Sequence, residues 1–252
     1  MVSILLSGCN GHMGQVITSI ADSDPGIAVT AGIDVIVEQR GGYPVYSSPA
    51  DFNGKADVVI DFSSPSALDG LIAFGISTKT PLVLCATGYS LEQIEAIDRA
   101  AGQIPIFRSA NMSLGINLLA DLIRRTCAVL GRSFDVEVVE RHHRRKVDAP
   151  SGTAMMLAET ASSALPFDPE YIFERQSRRQ PRNDSEIGIS AVRGGTIVGE
   201  HEVIFAGLDE IIELKHTALS RDVFAVGALR AAKFIAGINK PGLYNMNDAL
   251  NN

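Results

Sequence analysis

The sequence predicts an α/β protein built in two parts: an N-terminal Rossmann-type doubly wound parallel sheet, then a C-terminal α+β domain with a mixed, largely antiparallel sheet. Three observations predict it. Apolar runs at 2–6, 27–33, 56–62, 81–86 and 104–107 alternate with segments of helical spacing, the order of a parallel sheet covered by helices. A glycine turn, Gly8-Cys9-Asn10-Gly11-His12-Met13-Gly14, joins the first run to the first helix. After Asn111 the period changes, because a long amphipathic segment at 114–130 is followed by 134–140, where Phe134, Val136 and Val138 alternate with charged residues as in a half-exposed sheet.

Taken in order, the opening Met-Val-Ser-Ile-Leu-Leu-Ser has no basic leader region and is too short for a membrane span, so it reads as the first strand. Glycines at 8, 11 and 14 allow a sharp turn, close approach of backbone to a pyrophosphate, and tight packing of helix on strand; the helix start offers unpaired N–H groups to phosphate. Similar turns occur in connections that hold no nucleotide, and the spacing here is G-x-x-G-x-x-G rather than G-x-G-x-x-G. Asp34 favours a nucleotide: it ends the run 27–33, twenty residues after Gly14, where a carboxylate reaches ribose hydroxyls. That carboxylate repels a 2′-phosphate, and Val35, Ile36 and Val37 supply no guanidinium, although Arg40 is within reach. The expected cofactor is therefore NADH, with NADPH tolerated.

The runs 56–62, 81–86 and 104–108 each end in a polar turn. The loops Phe62–Ser64, Cys85–Gly88 and Ser109–Met112 thus belong to the carboxyl edge of the sheet, where ligands bind, or are simply strand-ending turns. Beyond 134–140, the segments 187–192, 196–205 and 210–217 are separated by turns at 193–195 and 207–209 and suggest antiparallel hairpins. The arginine-rich stretch 175–184 between them reads as a mobile surface loop, a solvated charge run or an aid to recruiting a dianion.

A net charge of −7 and a pI near 5.2 disfavour nucleic acid or an anionic membrane as partner. Cys9, Cys85 and Cys127 are too scattered for a disulfide framework or a structural zinc site, which suits a reducing cytoplasm.

The densest chemistry lies in 137–154, Glu-Val-Val-Glu-Arg-His-His-Arg-Arg-Lys-Val-Asp-Ala-Pro-Ser-Gly-Thr-Ala. A strand ends near Glu140-Arg141, His142, His143 and Lys146 occupy the loop, and Ser151 caps a helix whose first residues, Gly152 and Thr153, favour a carboxylate. Imidazole titrates near neutral pH and can pass a proton, while Lys146 can stabilise developing charge. No carboxylate or cysteine completes a standard metal set with these histidines, so no metal is expected. Hydride transfer by this arrangement needs a reduced nicotinamide opposite the loop.

This stretch resembles the signature of the 4-hydroxy-tetrahydrodipicolinate reductase (dihydrodipicolinate reductase) family of diaminopimelate and lysine biosynthesis. Gly8–Gly14 resembles its nucleotide loop, 192–195 and 199–201 its hairpin, and Lys240-Pro241-Gly242-Leu243-Tyr244 its C-terminal motif. The resemblance implies NAD(P)H-dependent reduction of a cyclic imine dicarboxylate with loss of water. It implies His142 as proton donor and acceptor, Lys146 as second proton donor, and His143, Ser151, Gly152 and Thr153 as the substrate site. It places cofactor contacts at Gly8, Cys9, Asn10, Gly11, His12, Met13, Asp34, Cys85, Ala86, Thr87, Ser109, Ala110, Asn111 and Met112. It also implies a homotetramer joined through the C-terminal sheets, and a last helix, 222–236, that returns to the first domain. The expected division is then 1–112 with 221–252 for the dinucleotide, and 113–220 for substrate and oligomerisation. Two positions depart from the family: Cys85-Ala86-Thr87-Gly88 stands for Gly-Thr-Thr-Gly, and Val35 for a basic residue. Two other classes stay open on the residues alone, a different amino-acid-pathway dehydrogenase and a catalytically silent nucleotide-binding regulator.

Overall fold

In the computed structural model, which describes residues 1–250, strand β1 (Val2–Ser7) is buried on both faces because it is central to a parallel sheet. Ile4, Leu5 and Leu6 are wholly inaccessible, each side chain contributing about 1.5–3 kcal/mol on burial. After the glycine turn come α1 (His12–Ala21), β2 (Ile27–Ile33), β3 (Val45–Tyr46), β4 (Val58–Asp61), α2 (Leu68–Thr78), β5 (Leu82–Leu84), α3 (Leu91–Ala101) and β6 (Pro105–Arg108). Ser90 starts α3 with a reciprocal cap, its Oγ accepting from Gln93 N–H while the Gln93 side chain accepts from Ser90 N–H.

The chain then builds a second unit from α4 (Leu114–Leu130), β7 (Asp135–His142), α5 (Gly152–Ala164), β8 (Glu170–Ile172), β9 (Glu186–Arg193), β10 (Gly199–Ala206) and β11 (Ile211–Ala218). It returns through α6 (Asp222–Ile235), β12 (Gly242–Tyr244) and α7 (Met246–Leu250). The first sheet has the order β12-β6-β5-β4-β1-β2-β3, all pairs parallel, and its order reverses at β1, the switch point where open α/β sheets take ligands. The two compact units are residues 1–113 with 222–252, and residues 114–221.

In the second unit, β7 alternates so that Val136, Val138, Glu140 and His142 are buried, whereas Asp135, Glu137, Val139 and Arg141 face the other way. Helices α4 and α5 cover the buried face with Ile116, Leu119, Ile123, Leu157 and Ala161. The sheet order is β11-β10-β7-β9-β8, with two antiparallel and two parallel pairings. The hairpin expected of 187–192 with 196–205 does not form. β7 lies between β9 and β10, parallel to one and antiparallel to the other, because a strand with one strongly apolar face gains most when paired on both edges. The connection at 194–198 consequently crosses the end of β7, where Gly194 N–H donates to His142 O (2.9 Å) and Arg144 N–H to Gly195 O (3.3 Å).

The arginine-rich stretch is exposed over most of its length, as expected of a surface loop, yet Arg175, Arg178 and Arg182 are paired with acids. Arg182 donates to Asp135 (2.7 Å), Glu137 (3.2 Å) and the carbonyls of Val136 and Glu186, while Arg175 bridges Glu137 and Glu186, both at 2.6 Å. These guanidiniums neutralise the acidic edge of β7 and β9. Among the described residues, no helix is long and apolar enough to cross a membrane, and no group of three or more His, Cys, Asp or Glu is placed to hold a metal ion.

Candidate active site

The first unit carries a cradle made of backbone. Gly8 has φ +77°, and a Cβ there would stand 2.8 Å from the Phe62 carbonyl; a Cβ at Gly14 would collide with the carbonyls of Gly8 and Cys9. Gly11 caps α1 with no side-chain hydrogen bond, so the first amides of the helix, at exposed His12 and half-buried Met13, are left to a ligand or water. Asp34, just past β2, accepts Asn10 N–H (2.9 Å) on one oxygen and Ile36 N–H (3.1 Å) on the other. Asn10 Nδ2 donates in turn to the carbonyls of Ile36 (2.7 Å) and Glu38 (2.9 Å). The acid and the glycine turn are thereby one braced structure, and each carboxylate oxygen retains acceptor capacity for a ribose hydroxyl. These residues fit a dinucleotide: a turn too tight for any Cβ, an uncapped helix start and a fixed ribose acid.

Side chains near the cradle contribute less than their positions suggest. Cys9 is buried against Gly32, and burial, with Asp34 nearby, pushes its thiol up to about 11, so only its backbone is offered. Val35 is 95% exposed, and Arg40 lies 2.6 Å from Glu38 rather than free beside Asp34. Cys85, Ala86 and Thr87 follow β5, and Ser109, Ala110, Asn111 and Met112 follow β6, all at the carboxyl edge. The Cys85 thiol is raised by burial and then by Asp61, so it supplies no thiolate. Met112 is buried, its carbonyl pressed on Gly227 of α6 where a Cβ has no room, which leaves its side chain a packing part.

The second unit carries a site made of side chains. Because β7 alternates, Glu140 and His142 share the face of Val136 and Val138, where helix packing would otherwise demand apolar residues. Glu140 is fully buried, and both its oxygens are saturated. Oε1 accepts Ser151 N–H (2.9 Å) and Arg193 Nη2 (2.7 Å); Oε2 accepts Arg193 Nη1 (2.7 Å) and lies 2.6 Å from His142 Nδ1. Burial alone would raise this carboxyl, but Arg193, His142 and the Ser151 amide outweigh it and hold the group below the usual glutamate range. Arg193 is the last residue of β9, just before the crossing connection, and is anchored also on the Asp148 carbonyl (2.5 Å). Gly199, opposite His142 on β10, leaves room for the ring: a Cβ there would lie 3.1 Å from Nε2.

His201, in register with Glu140, packs edge-on to His142 with ring centroids 5.1 Å apart. Burial, then the neighbouring His142, pushes its pKa down to about 4, so it is neutral at physiological pH. Its Nε2 is 3.1 Å from Ser151 Oγ, and its Nδ1 is buried without a partner.

Around this cluster, Lys146 Nζ lies 2.9 Å from Asp148, whose carboxyl is lowered chiefly by that contact and further by the Gly152 amide. Asp148 therefore occupies the two cationic features expected to take a substrate carboxylate, the lysine and the start of α5. A Cβ at Gly152 would meet nothing within 4 Å, and Thr153 is half-buried beside it. His143 is lowered by desolvation and then by Arg221, Arg145, His142 and Lys146, which keeps it neutral among cations. Ser151 corrects an expectation. It is 2% exposed, its N–H is taken by Glu140 and its Oγ by Ala154 N–H and His201, so it holds the helix start in place instead of facing a ligand.

Sequence reasoning brought His142, His143, Lys146, Gly152 and Thr153 to one loop and gave no role to Glu140, Arg193 or His201. A signal for Glu140 was present: it falls two residues before His142 on the apolar side of an alternating strand, where an unpaired charge is not tolerated. Nothing in the sequence alone pairs Arg193 with it, since that depends on β7 separating β9 from β10.

The family model described as "Dihydrodipicolinate reductase, N-terminus" matches residues 2–112, and that described as "Dihydrodipicolinate reductase, C-terminus" matches residues 115–250. The chain is 47% identical over 251 residues to a 4-hydroxy-tetrahydrodipicolinate reductase of Clostridium perfringens, covering 99% of this chain and 98% of that one. It is 48% identical over 248 residues to one from Caldanaerobacter subterraneus subsp. tengcongensis, covering 98% of each. Among solved structures it resembles a dipicolinate-bound dihydrodipicolinate reductase from Paenisporosarcina sp. TG-14, with a TM-score of 0.78, 22% identity and 98% of each chain covered. A more distant likeness in fold is GenD2 from gentamicin A biosynthesis in complex with NAD, with a TM-score of 0.62, 13% identity, and 99% of this chain and 90% of that one covered.

Proposed function

The chain belongs to the dihydrodipicolinate reductase family, and on that premise we propose that it reduces 4-hydroxy-tetrahydrodipicolinate to tetrahydrodipicolinate, a step toward diaminopimelate and lysine. One hydride and one proton are taken up and one water leaves. The hydride comes from a reduced nicotinamide, whose pyrophosphate and ribose would be held by the Gly8–Gly14 turn and Asp34. The observation that carries the reading is the pair of proton-bearing groups, His142 and Lys146, flanking the start of α5, with His142 held on a buried ionised carboxylate.

In this reading the dicarboxylate displaces Asp148 from Lys146 and the Gly152 amide, exchanging an internal anion for a ligand carboxylate. His142, whose Nδ1 is engaged by Glu140, passes the proton through Nε2. Lys146 balances charge that develops on the ring and can protonate the departing hydroxyl, a proton matched by the one the ring gives up as it loses water, so the net uptake remains one proton. His143, neutral and half-buried, contributes a hydrogen bond without adding charge. NADH is the preferred cofactor, NADPH the poorer one: Asp34 repels a 2′-phosphate, and Glu38 neutralises the one guanidinium of the adjoining loop. The same reading includes cytoplasmic location and a homotetramer formed through the face of the second sheet turned away from α4 and α5. Val139, Ile204 and the exposed Val192 and Ile211 lie on that face among charged residues.

The test is a spectrophotometric assay of NADH oxidation with freshly generated substrate. The wild type turns over, and with higher kcat/KM for NADH than for NADPH. His142→Ala and Lys146→Ala each lose about 10²–10⁴-fold in kcat. A stable wild type that binds NADH and does not consume it with this substrate overturns the assignment. Equal or better efficiency with NADPH overturns the cofactor preference alone.

A further inference from the structure

We propose that Glu140 is a positioning residue that fixes the neutral His142 ring as its Nδ1–H tautomer, with Arg193 as the counter-ion that keeps Glu140 competent to do so. The proposal rests on His142 as the proton-transfer residue and adds which of its two nitrogens does the work.

Hydrogen-bond saturation of Glu140 dictates the tautomer. Glu140 is inaccessible to solvent, so its lone pairs are satisfied inside the protein or not at all. Three of its four contacts come from groups that can only donate: Arg193 Nη1, Arg193 Nη2 and the Ser151 amide. A bidentate guanidinium with an added N–H is a receptor for a charged carboxylate, and an ionised carboxylate only accepts. The fourth contact, His142 Nδ1 at 2.6 Å, must then be a donor. In the neutral ring, Nδ1–H leaves Nε2 as the basic nitrogen, able to take and return a proton. A ring with the opposite tautomer would oppose two lone pairs at that distance and present Nε2–H to the substrate instead. The backbone keeps the register of this pair, since the His142 carbonyl accepts from Gly194 next to Arg193. Neutral His201 at 5.1 Å between ring centroids does not compete for the proton.

The arrangement assigns separate jobs to Glu140 on β7 and Asp148 in the loop after it. Asp148 is half-exposed and exchangeable, whereas Glu140 is sealed and permanent. Replacing Glu140 by glutamine keeps shape and volume but removes the charge, and its amide can donate to Nδ1, which forces the proton to Nε2.

The experiment is heteronuclear NMR of the full-length protein labelled with ¹⁵N-histidine, at a pH where His142 is neutral, combined with kinetics of Glu140→Gln and Arg193→Lys. In the wild type, His142 shows a protonated Nδ1 and a pyridine-type Nε2. Glu140→Gln inverts that pattern and lowers kcat by about 10²-fold or more, with the NADH dissociation constant within about twofold of wild type. Arg193→Lys keeps the tautomer and loses less in kcat, because one donor remains. A wild-type ring protonated on Nε2 overturns the proposal without recourse to any variant. So does a folded Glu140→Gln with unchanged tautomer and near-normal kcat. A wild type inactive on the substrate but with His142 in the Nδ1–H form sinks the functional reading and leaves the role of Glu140 standing.

Discussion

In the proposed function the glycine turn of the first unit and the Glu140 cluster of the second each serve a charged ligand at the end of a buried strand, by opposite means. The turn at Gly8–Gly14 uses backbone: absent Cβ atoms, free amides at the start of α1 and one exposed-edge acid. The cluster uses side chains from three strands and a loop, all ionised or polar, and most of them buried. The first costs conformational entropy in glycines; the second costs desolvation of charges, which Arg193 and Glu140 offset in each other. A backbone cradle binds without regard to proton state, while a buried ion network sets protonation. In the proposed function, cofactor binding and proton transfer accordingly fall to different units.

The difference can be broken in several places, and removal of His142 is the most damaging. His142→Ala is expected to lower kcat by about 10²–10⁴-fold and to leave NADH binding unchanged, as steady-state kinetics and fluorescence titration will measure. Next is Gly14→Ala, whose new methyl meets the Gly8 and Cys9 carbonyls. We expect a loss of about 1–3 kcal/mol in stability or a comparable weakening of NADH binding, read by thermal unfolding and titration, with the Nδ1–H signature of His142 intact.

How far each site was legible follows from the same contrast. The turn, Asp34 and their strand–helix setting are contiguous or one element apart, so spacing alone exposes them. His142 at the end of β7, Lys146 in the loop after it, and Gly152 and Thr153 at the start of α5 were legible for the same reason, as close neighbours in sequence. Arg193 and His201 reach Glu140 through sheet register: 53 residues separate Arg193 from Glu140, and only the insertion of β7 between β9 and β10 makes them partners. Local patterning reads 187–205 as a hairpin because the turn residues at 193–195 are those of a hairpin; which strand fills the space between is a tertiary decision. Ser151 was legible as a cap and misread as a ligand contact, since the cap geometry itself consumes its groups.

Acid sensitivity sharpens the contrast further, because the histidines with lowered pKa, His143, His201 and His216, all lie in the second unit. His201 has its pKa lowered to about 4 in the folded state, against an ordinary imidazole near 6.5 in the unfolded chain. Its contribution is therefore complete above about pH 6.5 and is lost as pH falls toward 4, where the unfolded chain gains a proton that the fold refuses; on the order of 3 kcal/mol is involved. Glu140, also lowered, adds a loss at more acid pH. Chemical denaturation from pH 7 to 4 should show the decline, and His201→Asn should flatten its upper part. An equal slope in wild type and variant would assign the sensitivity elsewhere. The smallest effect has the opposite sign. Asp148→Asn removes the anion that stands in for substrate at Lys146, so KM for the dicarboxylate should fall severalfold with little change in kcat; a rise in KM would make Asp148 a support and not a competitor.

The most direct test of the division of labour is to measure kcat at saturating cofactor and the NADH dissociation constant side by side for Gly14→Ala and His142→Ala. The account predicts a crossed pattern: weakened binding with kcat largely kept in the first, kcat lost with binding kept in the second. Parallel losses of both quantities in both variants would contradict it.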